Sequence, residues 1–98
     1  MKRMTTEDLR RHAADAGIVP ILMGGEDDVA TTVQVADALV EAGATVIEVL
    51  FRRPDAPEAL AQIRRRHPGV LLAAGTILDA TGAARAEDAR ADFMISPG

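Results

Sequence analysis

Four short apolar runs, each parted from the next by a stretch with helical periodicity, restrict this chain to a parallel α/β layout. The runs are residues 18–23, 45–51, 70–74 and 93–95. Each is nearly continuous in apolar residues, as expected for a strand covered on both faces. Pro20 sits inside the first, a place tolerable only near a strand start or an irregularity.

The intervening stretches read as helices. From Asp28, the positions Val29, Val33, Ala36 and Val40 follow helical spacing, with Thr32, Asp37 and Glu41 on the other side and Gly43 at the stop. The next helix begins at Asp55, with Pro57 in the tolerant first turn and Glu58 placed for a capping-box-like pair. Leu60 and Ile63 form its inner face, and Arg64-Arg65-Arg66 lies at the negative end of its dipole before Pro68-Gly69. Those arginines read either as a solvated helix end or as a ligand patch. Residues 79–90 form a weaker helix with Gly82 inside it, and an N-terminal helix runs from Thr6-Glu7-Asp8 to Gly17. Glu41-Ala42-Gly43-Ala44 has an echo in Asp88-Ala89-Arg90-Ala91, with Arg90 where a helix-ending glycine is expected.

At 98 residues the chain is one domain, 1–98, with no internal boundary. A complete (β/α)₈ barrel needs about 200 to 250 residues, so a barrel here is a partial one. Periodicity alone leaves a half-barrel and a small doubly wound sheet equally open. The net charge of -4 and pI near 5.0 argue against a nucleic-acid partner. With no cysteine, disulfides, thiolate metal sites and thiol nucleophiles are excluded, and a cytoplasmic setting fits. No apolar run approaches the ~20 residues of a membrane span, and no secretion signal follows Met1-Lys2-Arg3. The expected ligand is a small molecule.

Glu48 is the most informative residue. A carboxylate amid an apolar strand costs several kcal/mol to desolvate unless it is paired, protonated or facing a polar cavity. Alternation places it with Val46 and Leu50, in the direction of Arg52. Two readings stand: a structural ion pair between Glu48 and Arg52, or a pocket at the C-terminal strand ends. Gly75-Thr76 closes the third run at the same end, either as a plain turn or as a place where a ligand meets backbone and hydroxyl. Ser96-Pro97-Gly98 is a common loop opening by itself. His12 and His67 read as surface residues, and the methionines as packing or tail residues.

Taken together, Val19-Pro20-Ile21-Leu22, Ala42-Gly43 with Ile47-Glu48-Val49 and Arg52, Ala74-Gly75-Thr76-Ile77-Leu78, and Phe93-Met94-Ile95-Ser96-Pro97-Gly98 resemble the first four strands of the KDPG and 4-hydroxy-2-oxoglutarate aldolases. The resemblance implies the N-terminal half of a (β/α)₈ barrel, its first four parallel strands with intervening helices after an N-terminal helix. It implies cleavage of 2-keto-3-deoxy-6-phosphogluconate to pyruvate and glyceraldehyde 3-phosphate through a lysine Schiff base, with no metal or cofactor, in a protein that is usually a trimer. Glu48 matches the family's acid/base, Arg52 and Thr76 match residues holding the pyruvate carboxylate, and Pro97 is expected to line the same pocket. The family's lysine lies on a later strand, whereas the only lysine in these 98 residues is Lys2. The expectation is therefore a half-barrel that is inactive alone and that self-associates or pairs with a complementing half. The alternatives are a non-catalytic module binding a small carboxylate and an inert structural fragment.

Overall fold

A computed structural model describes residues 2–15, 17 and 21–96. The element order is β1 (Lys2–Thr5), α1 (Thr6–Asp15), β2 (Ile21–Met23), α2 (Val29–Glu41), β3 (Val46–Leu50), α3 (Ala56–Arg66), β4 (Leu71–Gly75), α4 (Ala80–Asp88) and β5 (Phe93–Ser96). All described strand pairs are parallel, and they form one sheet of order β1-β5-β4-β3-β2. Strands β2 to β5 are thus neighbours in chain order, each separated by a helix, which is the repeated unit of a (β/α) barrel laid open.

One strand was not expected. Residues 2–5, read from sequence as a tail, form β1 and pair along β5 from Lys2 opposite Phe93 to Thr5 opposite Ser96. The β-strand is followed at once by α1, whose start is fixed by Thr5 rather than Thr6. The Asp8 N–H donates to Thr5 Oγ1 at 3.1 Å and the Thr5 N–H donates to Asp8 Oδ2 at 3.2 Å, a reciprocal capping box. Residues 18–20, the first half of the first predicted strand, lie outside the described residues, as do Pro97 and Gly98.

The three central helices follow the predicted pattern, with instructive differences. Asp28 caps α2 by accepting from the Thr31 N–H at 2.8 Å, and Asp79 caps α4 by accepting from the Gly82 N–H at 2.8 Å. Asp55 precedes α3 as predicted but makes no side-chain cap, because Arg53 takes its carboxylate in a two-pronged contact at 2.9 and 3.0 Å. Thr32 belongs to the inner side of α2, not the outer. It is buried against Gly24, whose φ of +84° and lack of side chain let the β2–α2 turn close onto it.

The echo between the ends of α2 and α4 is a repeated Schellman motif. Gly43 and Arg90 both take positive φ, 105° and 69°. The N–H groups of Gly43 and Ala44 reach the carbonyls of Val40 and Leu39, and those of Arg90 and Ala91 reach Glu87 and Ala86. Arg90 therefore does hold the glycine position, with the left-handed backbone that position requires.

In the arginine run at the end of α3, Arg65 and Arg66 are exposed, as a solvated helix end requires, whereas Arg64 is largely buried. Arg64 ties the bottom of the sheet together, donating to the carbonyls of Pro68, Val70 and Arg90 and to Asp92. Asp92 in turn accepts from the Leu72 N–H at 2.9 Å. Arg66 clamps α3 to α2 through Asp37 at 2.5 and 2.9 Å, with His67 Nε2 2.6 Å from the same carboxylate. These contacts hold Asp37 at a pKa of about 2, below its ordinary 3.8. Arg65, exposed and 3.7 Å from Glu58, makes no more than a surface contact.

Apolar residues divide between the sheet's faces. Ile47, Val49, Leu72, Ala74 and Met94 join Val33, Ala36, Leu60, Ile63 and Ala86 of the helices in the main core. Val46, Ala73 and Ile95, with Phe93 beside them, form a small separate cluster on the opposite face. Among the described residues no helix is long and apolar enough to cross a membrane.

Candidate active site

Glu48 lies in β3 between Ile47 and Val49, which both point to the helix-covered core, so strand alternation turns it to the other face with Val46. That is the face a closed barrel would curve around. Glu48 is 4% exposed. Burial pushes its carboxyl above the usual glutamate range, and the charge of Arg10, on α1, opposes the shift without cancelling it. Among the described residues no hydrogen bond or ion pair reaches this carboxylate from Arg52, so the predicted neutralising pair is not formed. A buried carboxyl held above its ordinary range is suited to accept and return a proton.

Arg52 stands just beyond β3, in the turn between Phe51 and Asp55 where strand alternation no longer applies. Its side chain is exposed and lies against Gly25, in the loop that follows β2. Thr76 follows β4 immediately, half-buried, with a φ of 62°. A β-branched residue in the left-handed region is strained, and such strain is held where surrounding structure overrides local preference. The Thr76 side of β4 opens on a cleft of about 190 Å³ bounded by Phe51, Arg53, Pro57 and the first turn of α4. The Ile77 N–H donates to the Ile95 carbonyl at 3.1 Å, holding the β4 exit against β5. Pro97 lies outside the described residues. The structure thus sets Glu48 inside the sheet's open face and Arg52 and Thr76 at the C-terminal ends of adjacent strands, without direct contact among the three.

Sequence reasoning missed two neighbours of Glu48. Arg10 has no local signal, since only the placement of α1 brings its charge toward β3. Gly75 did have one: a glycine in a strand often marks close approach by a neighbour, and the group that approaches is Glu48 itself. Among the described residues no cluster of His, Cys, Asp and Glu is placed to hold a metal ion.

A parallel, chain-ordered (β/α) sheet with a buried carboxyl on the face away from the helices is the layout of part of a (β/α) barrel. The chain belongs to the KDPG and KHG aldolase family, whose model matches residues 9–98 and so begins within α1. The 2-dehydro-3-deoxy-phosphogluconate aldolase of Zymomonas mobilis is 39% identical over 83 residues, covering 85% of this chain and 38% of that protein. The corresponding protein of Haemophilus influenzae is 34% identical over 95 residues, covering 96% of this chain and 43% of its own length. Among solved structures, KDPG aldolase from Legionella pneumophila, with pyruvate captured as a covalent carbinolamine, superposes with a TM-score of 0.69 at 31% identity. That match covers 81% of this chain and 37% of the other. The chain therefore spans roughly two fifths of the length of these relatives, and its fold is that part of their barrel.

Proposed function

We propose that these 98 residues carry the proton-transfer and carboxylate-holding part of an aldolase site that cleaves 2-keto-3-deoxy-6-phosphogluconate to pyruvate and glyceraldehyde 3-phosphate. Glu48 is the acid/base: its raised carboxyl gives a proton to the departing hydroxyl when a carbinolamine dehydrates and takes one during carbon–carbon cleavage. Arg52 and Thr76 receive the keto-acid carboxylate from two neighbouring strand ends, a guanidinium fork and a hydroxyl donor, with Pro97 beside them. The observation that carries this reading is Glu48, buried at 4% exposure with no described partner on the inner face.

The sole lysine favours a second reading for the chain on its own. Lys2 is in β1, opposite Phe93 at the start of β5 rather than at the C-terminal strand ends. In this reading the 98 residues bind a keto acid without forming the Schiff base. The setting proposed is cytoplasmic, with a complementing half-barrel or further copies of the chain completing the sheet. Leu22, at 56% exposure on the edge strand β2, supports such pairing. In sedimentation, a monodisperse monomer would contradict it.

Titration calorimetry with pyruvate tests the site. Binding is expected, with Arg52→Ala or Thr76→Ala weakening it about tenfold or more; equal affinity in both variants would remove these residues from the site. Borohydride reduction with pyruvate, followed by intact mass, separates the two readings: no adduct is expected from the 98 residues alone, and an imine on Lys2 would overturn the second.

A further inference from the structure

We propose that Gly75 is the positioning residue for Glu48, the side chain it lacks being the space in which the Glu48 carboxyl group lies. The proposal deepens the reading of Glu48 as acid/base. A Cβ built on Gly75 would come 2.9 Å from Glu48 Cδ and 3.0 Å from its Cγ, with Oε2 nearer still. Real Cβ atoms do not make such contacts, so any side chain at 75 must drive the carboxyl elsewhere. No other described glycine is so tightly met: the nearest neighbour of Gly24 is 3.3 Å away and that of Gly25 is 3.5 Å.

The backbone does not itself call for glycine here. Gly24 has φ of +84°, whereas Gly75 is not in the left-handed region and follows Ala73 and Ala74 in a regular strand. Ala73 is the direct cross-strand partner of Glu48, and Gly75 lies two residues further along the same face of β4. The glutamate therefore leans across β4 toward the C-terminal end, where the missing Cβ admits it, and Gly75 is fully part of the buried strand. With the space filled, the carboxyl group would swing off the sheet into water.

The test is a cycle of Gly75→Ala, Glu48→Ala and the double variant, read by thermal unfolding, with ¹³C NMR titration of Glu48 in the first. Gly75→Ala is expected to return the Glu48 titration toward the ordinary carboxylate range, and any loss of Tm it causes is expected to depend on the presence of Glu48. In the Glu48→Ala background the same substitution should leave Tm unchanged or raise it, because alanine suits a strand at least as well as glycine. Equal losses of Tm in both backgrounds would overturn the proposal, as would an unmoved Glu48 titration in folded Gly75→Ala protein. If Gly75→Ala does not fold, a double variant folding like Glu48→Ala upholds the proposal and one that also fails overturns it. Neither readout involves a ligand, so failure to bind pyruvate would count against the keto-acid reading alone.

Discussion

The two faces of the sheet are built to different ends. The face under α2, α3 and α4 is closed by large, fully buried aliphatic residues, including Ile47, Leu60, Ile63 and Leu72. The other face carries a cluster of fewer residues, Val46, Ala73 and Ile95, and sets a carboxyl beside them. One face supplies stability. The other keeps Glu48 out of water at a cost in stability.

The comparison is broken most directly by cutting the helix-covered core. Leu60→Ala should cost about 3 kcal/mol in chemical denaturation, whereas Val46→Ala on the open face should cost about 1 kcal/mol, its neighbours being able to relax. Equal losses would mean that the faces do not differ in this way. Next in size is Arg64→Ala, which removes donors from three carbonyls and from Asp92. A loss of about 2 kcal/mol is expected, and Arg64→Lys should recover little of it because an ammonium cannot span the same fork.

Glu48→Gln sharpens the contrast, with an expected gain of about 1 kcal/mol at neutral pH. Its pH dependence has a definite sign. Below the unfolded carboxyl pKa both states are protonated and Glu48 carries no charge penalty. As pH rises past that value the unfolded chain releases its proton while the buried carboxyl retains it, so stability falls until the folded pKa is passed. Glu48→Gln should abolish that fall. Asp37, on the helix-covered side, does the reverse: its stabilisation is present above the ordinary 3.8 and is lost as pH drops toward about 2. Asp37→Asn should therefore flatten the acid limb and Glu48→Gln the limb above it; the same limb responding to both would refute the opposite signs. The smallest effect is expected at Arg90→Gly, a gain of about 0.5 kcal/mol in Tm-derived stability, as relief of the left-handed backbone outweighs the added freedom of glycine.

What could be read from sequence follows the range of the interactions. Helices α2 to α4 and their strands were legible because apolar spacing and caps such as Asp28 and Asp79 act within a few residues. Even Arg90 was legible, through its echo of Gly43. Strand β1 was not, since Lys-Arg-Met-Thr has no apolar pattern and becomes a strand only against the edge of β5. Asp55 had the composition of a cap, yet Arg53 nearby claimed its carboxylate. Arg64 and Arg66 looked like ordinary helix-end charges because their partners Asp92 and Asp37 lie far along the chain. Of the site, the inward turn of Glu48 followed from strand period alone, while its freedom from Arg52 depended on a turn beginning at Phe51 that alternation could not foresee.

Burial of Glu48 inside the sheet favours the protonated form of its carboxyl, as the proposed acid/base role requires. Site-resolved ¹³C NMR of its side-chain carboxyl across pH measures this in the intact chain. The account predicts a titration above the ordinary value of 4.5. A midpoint at or below that value would place the carboxyl in water or in an ion pair and contradict it.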